Sequence, residues 1–213
     1  FIDQKVTEDR SIFTLRIDGL RPIIPTSFNE GMKLSNYLTL LSFASPIRTT
    51  KSFDDLYVKF RAVCTDLVNG DPVILKSGSL SRAMRASSSV SFFLSPVDWN
   101  GLTLVDGGLV ANIPVKETQR QVADLVIAVN TTSELHKDED LYNPLLIADQ
   151  TVSIPMRQMN KEQLKYADIV IEPEFKKRLS TDFSNVNSLI LAGYNAAKLK
   201  TEKIRTSVDS IIN

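Results

Sequence analysis

Two short runs, Asp124–Val129 (DLVIAV) and Ala167–Glu172 (ADIVIE), are apolar almost throughout, and they narrow the choice of fold more than any other feature. A half-exposed strand alternates apolar and polar residues. A run without that alternation suits a strand covered on both faces, as in a parallel sheet. The intervening patterns are helical. Lys116 to about Ala123 reads as a short helix and Pro144 to about Asn160 as a longer one, with Pro155 placed to kink or split it. Ser188 to about Ile212 reads as one long amphipathic helix closing the chain. Strands alternating with helices predict an α/β layered domain.

The first half of the chain adds strands of a different character. Ser11–Ile17 (SIFTLRI) alternates as a half-buried strand does, and Gly19, Pro22 and Pro25 then break it. Ser27 and Asn29 are placed to cap a helix from Gly31 to Leu41, in which Leu34, Leu38 and Leu41 share a face with Tyr37 beside them. Tyr57–Leu67 is rich in β-branched and aromatic residues, and Asn69–Gly70 supplies a turn before Pro72–Leu75, so the pair reads as a hairpin. Ser79 or Ser81 can cap a helix from Leu80 to about Ser89, with Leu80, Met84 and Ser87 or Ser88 facing one way. A strand over Leu102–Val105 runs into Asp106-Gly107-Gly108, and Glu134–Asp140 (ELHKDED) reads as a solvated charged loop.

Several chemistries are excluded. Lys plus Arg equals Asp plus Glu, 25 each, so nothing marks a nucleic-acid surface. At 213 residues there is room for one domain with a sizeable core, and no apolar run approaches the roughly 20 residues that span a bilayer. The single cysteine, Cys64, rules out an internal disulfide and a multi-cysteine metal site, and its apolar run suits a buried small hydrophobe. The single histidine, His136, rules out two-histidine zinc motifs, and its charged loop argues for solvated surface against a catalytic triad. The eight glycines stand at 19, 31, 70, 78, 101, 107, 108 and 193. No two are four apart, so the chain has no G-x-S-x-G nucleophile elbow, and the same spacing excludes dinucleotide and Walker A loops. No metal or cofactor is expected.

What remains is Leu104-Val105-Asp106-Gly107-Gly108-Leu109-Val110-Ala111-Asn112-Ile113-Pro114. A carboxylate at the end of an apolar strand sits where α/β folds place ligands. Two following glycines allow positive φ and close backbone approach, so that the Asp can be presented to a cleft. Taken alone, Asp-Gly-Gly reads more readily as a turn than as a site.

Its surroundings change that. From Phe60 to Asn130 the chain resembles the patatin-like phospholipase family almost continuously. The resemblance takes in the strand Phe60–Leu67, the turn Asn69-Gly70-Asp71-Pro72, the helix Leu80–Ser89, Pro96-Val97, the Asp106 block with Asn112 and Pro114, and the strand Ala123–Asn130. Ala167–Pro173 and Ala192-Gly193-Tyr194 are similar to the family's last strand and helix, and Phe28–Leu56 to the helix and linker before this region in bacterial members. One departure is Ser91, where many members carry proline.

The resemblance implies a mainly parallel sheet flanked by helices, and a Ser-Asp dyad in place of a triad. Asp106 is then the general base toward a serine on a G-x-S-x-G elbow, with an oxyanion hole formed by a glycine-rich loop. Gly107 and Gly108 shape its turn, and Asn112 and Pro114 support the loop beyond. The substrate is a lipid or other acyl ester. Ser87, Ser88 and Ser89 correspond to small packing residues rather than nucleophiles. Neither the elbow nor the glycine-rich loop occurs in the chain, which starts at Phe1 rather than Met. We therefore expect residues 1–213 to be the C-terminal part of one patatin-like domain, incomplete at its N-terminus and inactive alone. Such a part would self-associate or pair with a chain bearing the missing segment, and would touch membranes only peripherally. The compartment, cytoplasmic or exported, stays open. The alternative is a non-catalytic patatin-like module that binds lipid or protein.

Overall fold

The computed structural model describes residues 16–18, 21–23, 29–45, 52–91, 93–121, 123–132, 134–138, 141–142, 144–175 and 184–212. The chain divides into two compact units, Phe1–Gly107 and Gly108–Asn213, and the boundary falls inside the Asp-Gly-Gly motif.

The first unit begins with β1 (Arg16–Asp18) and β2 (Arg21–Ile23), an antiparallel pair. The remainder of the predicted first strand, 11–15, and the cap candidate Ser27 lie outside the described residues. Helix α1 (Met32–Ala44) follows the predicted span. Its N-cap is Gly31 at φ 72, a left-handed conformation that suits glycine, and Asn29 Oδ1 accepts the Gly31 N–H at 2.7 Å. Leu34 and Leu38 are half-buried while Leu41 and Tyr37 are exposed, so the predicted face is only partly covered.

β3 (Ala62–Asp66) and β4 (Pro72–Leu75) form the predicted hairpin. Its turn is held by Asp66, whose carboxylate accepts from Val68 N at 3.1 Å and Asn69 Nδ2 at 2.7 Å. Gly70 closes the turn at φ +76. Helix α2 (Leu80–Ser87) is capped by Ser79, whose Oγ accepts from Arg82 N. The residues it buries are Ala83, Arg85 and Ala86, a different face from the predicted Leu80–Met84 stripe. Small side chains let α2 settle closely on the sheet, and Leu80 and Met84 are left half-buried at the edge.

β5 (Val97–Trp99) and β6 (Leu102–Asp106) make a second hairpin that the sequence reading did not anticipate. The signal is there. Asn100 and Gly101 both have positive φ, 53° and 86°, as a type I′ two-residue turn requires. The four strands order β4-β3-β6-β5, antiparallel throughout. The core on this sheet gathers Phe53, Ala62, Cys64, Leu75, Ala83, Ala86 and Leu104.

The second unit opens with two short helices, α3 (Gly108–Ala111) and α4 (Val115–Gln119). β7 (Ile127–Val129) then pairs in parallel with β8 (Ile169–Ile171), as the two apolar runs predict. The α/β class holds. Among the described residues, however, this is the one parallel strand pair, beside an isolated parallel bridge between Asn29 and Leu94, and the larger sheet is antiparallel because tight turns join β3 to β4 and β5 to β6. Nor is β7 covered on both faces. Ala128 is buried on one side, while Ile127 and Val129 are 40% and 51% exposed on the other. Ile113, Val115, Val126 and Ala128 form this unit's core, with Leu164 and Ala167 against it.

Helix α5 (Pro144–Leu164) runs through Pro155 without splitting. The predicted closing helix is two helices, α6 (Val186–Leu199) and α7 (Thr201–Ile212), meeting at Lys200; neither buries a residue.

Candidate active site

Asp106 is the last residue of β6 and is half-buried. The alternation of β6 sends Leu104 into the core and brings Asp106, two residues on, opposite Cys64 of β3. Both backbone groups of Asp106 are tied down. Its N–H donates to Ser89 O at 3.0 Å, just past the end of α2. Its carbonyl accepts from the Thr65 hydroxyl at 2.9 Å. The strand end is therefore fixed from the helix side and from β3.

Gly107 explains itself by contact. A Cβ built there would lie 2.5 Å from Val63 O and 2.8 Å from Val63 C, so the backbone passes β3 too closely for any side chain. Positive φ, the other expected use of this glycine, is not what it supplies. Gly108 is buried and starts α3, while Pro114 caps α4. Asn112, Ile113 and Pro114 line an open cleft of about 170 Å³, completed by Val115, Thr118 and residues 126–129. Of the residues singled out in the sequence, Asp106 and Gly107 close the first unit, whereas Gly108, Asn112 and Pro114 open the second.

Alternative nucleophiles are accounted for. Ser87 Oγ donates to Val63 O at 2.7 Å, Ser88 Oγ to Met84 O at 2.9 Å, and Ser89 Oγ to Arg85 O at 2.8 Å. Each hydroxyl spends its proton on a peptide carbonyl, in the manner of a helix-end packing residue, rather than presenting it to a base. Cys64 is fully buried, and burial, aided by the negative charge of Asp106, pushes its thiol up to about 12. A thiol held neutral at physiological pH is a poor nucleophile.

Cys64 yields a test. Native protein at pH 8 should resist iodoacetamide and become alkylated only as urea unfolds it; prompt alkylation of the native state would contradict the buried placement. The folded value lies above the ordinary 9.0, so the fold holds the thiol proton more tightly than the unfolded chain does. Its contribution to stability is full below pH 9 and declines as pH rises from 9 toward 12.

His136 departs from expectation. Its side chain is only 10% exposed, with Nε2 at 2.7 Å from Asp149 Oδ2. Its main chain is clasped by Gln150, which accepts from His136 N at 2.8 Å and donates to His136 O at 3.2 Å. His136 is thus pinned to α5, while Glu134, Lys137 and Asp138 beside it are exposed, as a solvated charged loop would have them. The partners of His136 are an acid and an amide of α5.

Arg85 was invisible in the sequence. An arginine on a short helix reads as surface, yet this one is 4% exposed among Ala83 and Ala86. Burial lowers its pKa without removing the charge. The guanidinium donates to Ser89 Oγ, to Glu30 O at 3.1 Å and to Ser95 O at 3.2 Å. The one available hint is its i, i+4 spacing to Ser89, with the small residues Ala83 and Ala86 on the same buried face.

Among the described residues there is no group of three potential metal ligands, and no helix is long and apolar enough to cross a membrane. A family model described as patatin-like phospholipase matches residues 2–118. Similar proteins include lysophospholipase NTE1 of Lodderomyces elongisporus, 32% identical over 57% of this chain and 8% of its own length. Patatin-like phospholipase domain-containing protein 7 of Mus musculus is 26% identical over 68% of this chain and 12% of its own length. Domain-containing protein 6 of the same species is 33% identical over 45% and 7%. The chain therefore spans between 7% and 12% of the length of these relatives. Because the family match takes in more than half of the chain and extends past the Asp106 strand end and both of its glycines, the chain belongs to the patatin-like phospholipase family.

Proposed function

We propose that this chain is the base-bearing part of a lipid acyl hydrolase that uses a Ser-Asp dyad, with Asp106 as the base. The observation that carries this reading is the anchored Asp106. A half-buried carboxylate sits at a strand end whose N–H and C=O are both bonded, beside a glycine that tolerates no side chain. A base held that firmly is preorganised for proton transfer.

In this reading the nucleophilic serine stands on a G-x-S-x-G elbow outside these 213 residues. Asp106 takes the hydroxyl proton as Oγ attacks the ester carbonyl, and backbone N–H groups of a glycine-rich loop stabilise the oxyanion. The tetrahedral intermediate collapses, the alcohol leaves with the proton from Asp106, and an acyl-serine remains. Water, deprotonated by Asp106, then attacks the acyl carbon, and the fatty acid is released as serine Oγ leaves with that proton from Asp106. Gly107 and Gly108 shape the approach, and Asn112 and Pro114 support the loop beyond it. The names of the NTE1 relatives favour lysophospholipids as the substrate class. Exposed Ile127 and Val129 support the expectation that a further segment, of the same polypeptide or a second chain, lies on β7.

A fluorophosphonate probe tests this. The full-length protein should be labelled, and the label should vanish when the elbow serine is replaced by alanine; residues 1–213 alone should not react. Absence of label on a folded full-length protein would move the assignment to a non-catalytic lipid- or protein-binding module. Label on residues 1–213 alone would return attention to Ser87, Ser88 and Ser89.

A further inference from the structure

Arg85 is a buried cation whose partners among the described residues are a hydroxyl and two peptide carbonyls. Desolvating a guanidinium is costly, and a methionine of similar volume would pack among Ala83 and Ala86 without that penalty. Packing alone does not account for an arginine here. Its bonds show what the charge gathers. One nitrogen of the fork holds Ser89. The other bridges Glu30 O, ahead of α1, and Ser95 O, ahead of β5. These two segments also meet directly, through Ser95 N donating to Asn29 O at 3.1 Å. The guanidinium lies so close over Gly31 that a Cβ there would fall 2.6 Å from Nε and 2.7 Å from Cζ.

Ser89 is the residue that matters for the site. It lies beyond the last residue of α2, where its N–H still bonds back to Ala86 O at 3.1 Å but no further turn follows to fix its side chain. Two side-chain bonds add to that one: Arg85 donates to Ser89 Oγ, and that hydroxyl donates back to Arg85 O at 2.8 Å. With its side chain held so, the Ser89 carbonyl accepts the Asp106 N–H at 3.0 Å. A planar fork with several donors can hold a hydroxyl and two carbonyls of separate segments at once; a lysine ammonium presents one point charge.

We propose that Arg85 is a positioning residue for Asp106: it orients Ser89, whose carbonyl sets the backbone of Asp106, and locks that arrangement to the segments at Glu30 and Ser95. This rests on the reading of Asp106 as the base. It adds that the base is aligned by a buried guanidinium which does not itself touch the reacting atoms.

The test uses the full-length protein with lysophosphatidylcholine as the probe substrate, and the variants Arg85→Met, Arg85→Lys and Asp106→Asn. Thermal unfolding establishes the folded fraction, to which kcat is referred. For folded Arg85→Met we expect kcat to fall about 10- to 100-fold, as for a reacting group displaced by about an ångström, with KM within about twofold. Arg85→Lys should restore only a minor part. Because Arg85 acts through Asp106, adding Arg85→Met to Asp106→Asn should cost nothing further. A merely structural arginine would lower the unfolding temperature while leaving kcat of the folded fraction within about twofold, and that result overturns the proposal. If Arg85→Met does not fold, Ser89→Ala, which removes only the hydroxyl, is judged by the same split between kcat and KM. An inactive Asp106→Asn beside a fully active Arg85 variant sinks the positioning role alone. An active Asp106→Asn sinks the base assignment, and the positioning role with it.

Discussion

Replacing Asp106 with asparagine in the full-length protein should lower kcat for ester hydrolysis by about a thousandfold, the scale of a lost general base, and leave the fold intact. Asparagine has nearly the same shape. The two bonds that anchor this residue, to Ser89 O and from Thr65 Oγ1, are made by the main chain and survive the exchange. What is lost is the lone pair that accepts the serine proton, because an amide is not basic at neutral pH. Turnover of a lysophospholipid by the variant, with circular dichroism melting as the control for folding, decides the matter. Activity within about tenfold of the unaltered protein would end the dyad assignment. The anchoring makes this a clean experiment, since a strand end held only by its side chain would shift on substitution and confuse chemistry with folding.

The second large effect concerns Gly107. Adding one methyl group as Gly107→Ala should destabilise the protein by about 3 kcal/mol, the upper part of the range for overpacking a tight contact. The reason lies in which atoms are struck. The new Cβ would sit 2.5 Å from Val63 O and 2.8 Å from Val63 C, both main-chain atoms of β3, and 3.1 Å from Val63 Cγ1. A side chain can rotate away, but a strand cannot. β3 and β6 would have to part at the Cys64–Asp106 pair, the position that places the base, so activity should fall together with stability. Gly193→Ala is the control. Nothing lies within 4 Å of a Cβ there, and in the helix α6 alanine should be neutral or add up to about 1 kcal/mol. Equal unfolding midpoints for the two variants would contradict the close approach at Gly107.

Much of the fold was legible in contiguous stretches. Asn69–Gly70 between two β-rich runs specifies the β3–β4 hairpin, Ser79 starts α2, and the unbroken apolar runs at Ile127–Val129 and Ile169–Ile171 pair in parallel. The strand that ends at Asp106 lies where its composition puts it. Other parts were legible and passed over. Asn100–Gly101 is as strong a hairpin signal as Asn69–Gly70, and it makes β5. Still others could not be read. Periodicity does not tell which strand β6 will neighbour, so the antiparallel β4-β3-β6-β5 order had no local sign. An unbroken amphipathic pattern from Ser188 to Ile212 does not announce a break at Lys200.

The site divides along the same line. The sequence by itself determined that a carboxylate would end an apolar strand, that two glycines would follow, and that no two-histidine zinc site could be assembled. These are properties of residue type and spacing along one backbone. Only the tertiary structure decided that Gly107 is required by β3, that His136 is clasped by Asp149 and Gln150, and that Arg85 is buried beneath the residue holding Asp106. Each of those depends on which distant segment arrives alongside. A glycine, a histidine or an arginine carries no mark of its future neighbour, because contact and burial belong to the packed chain and not to the residue.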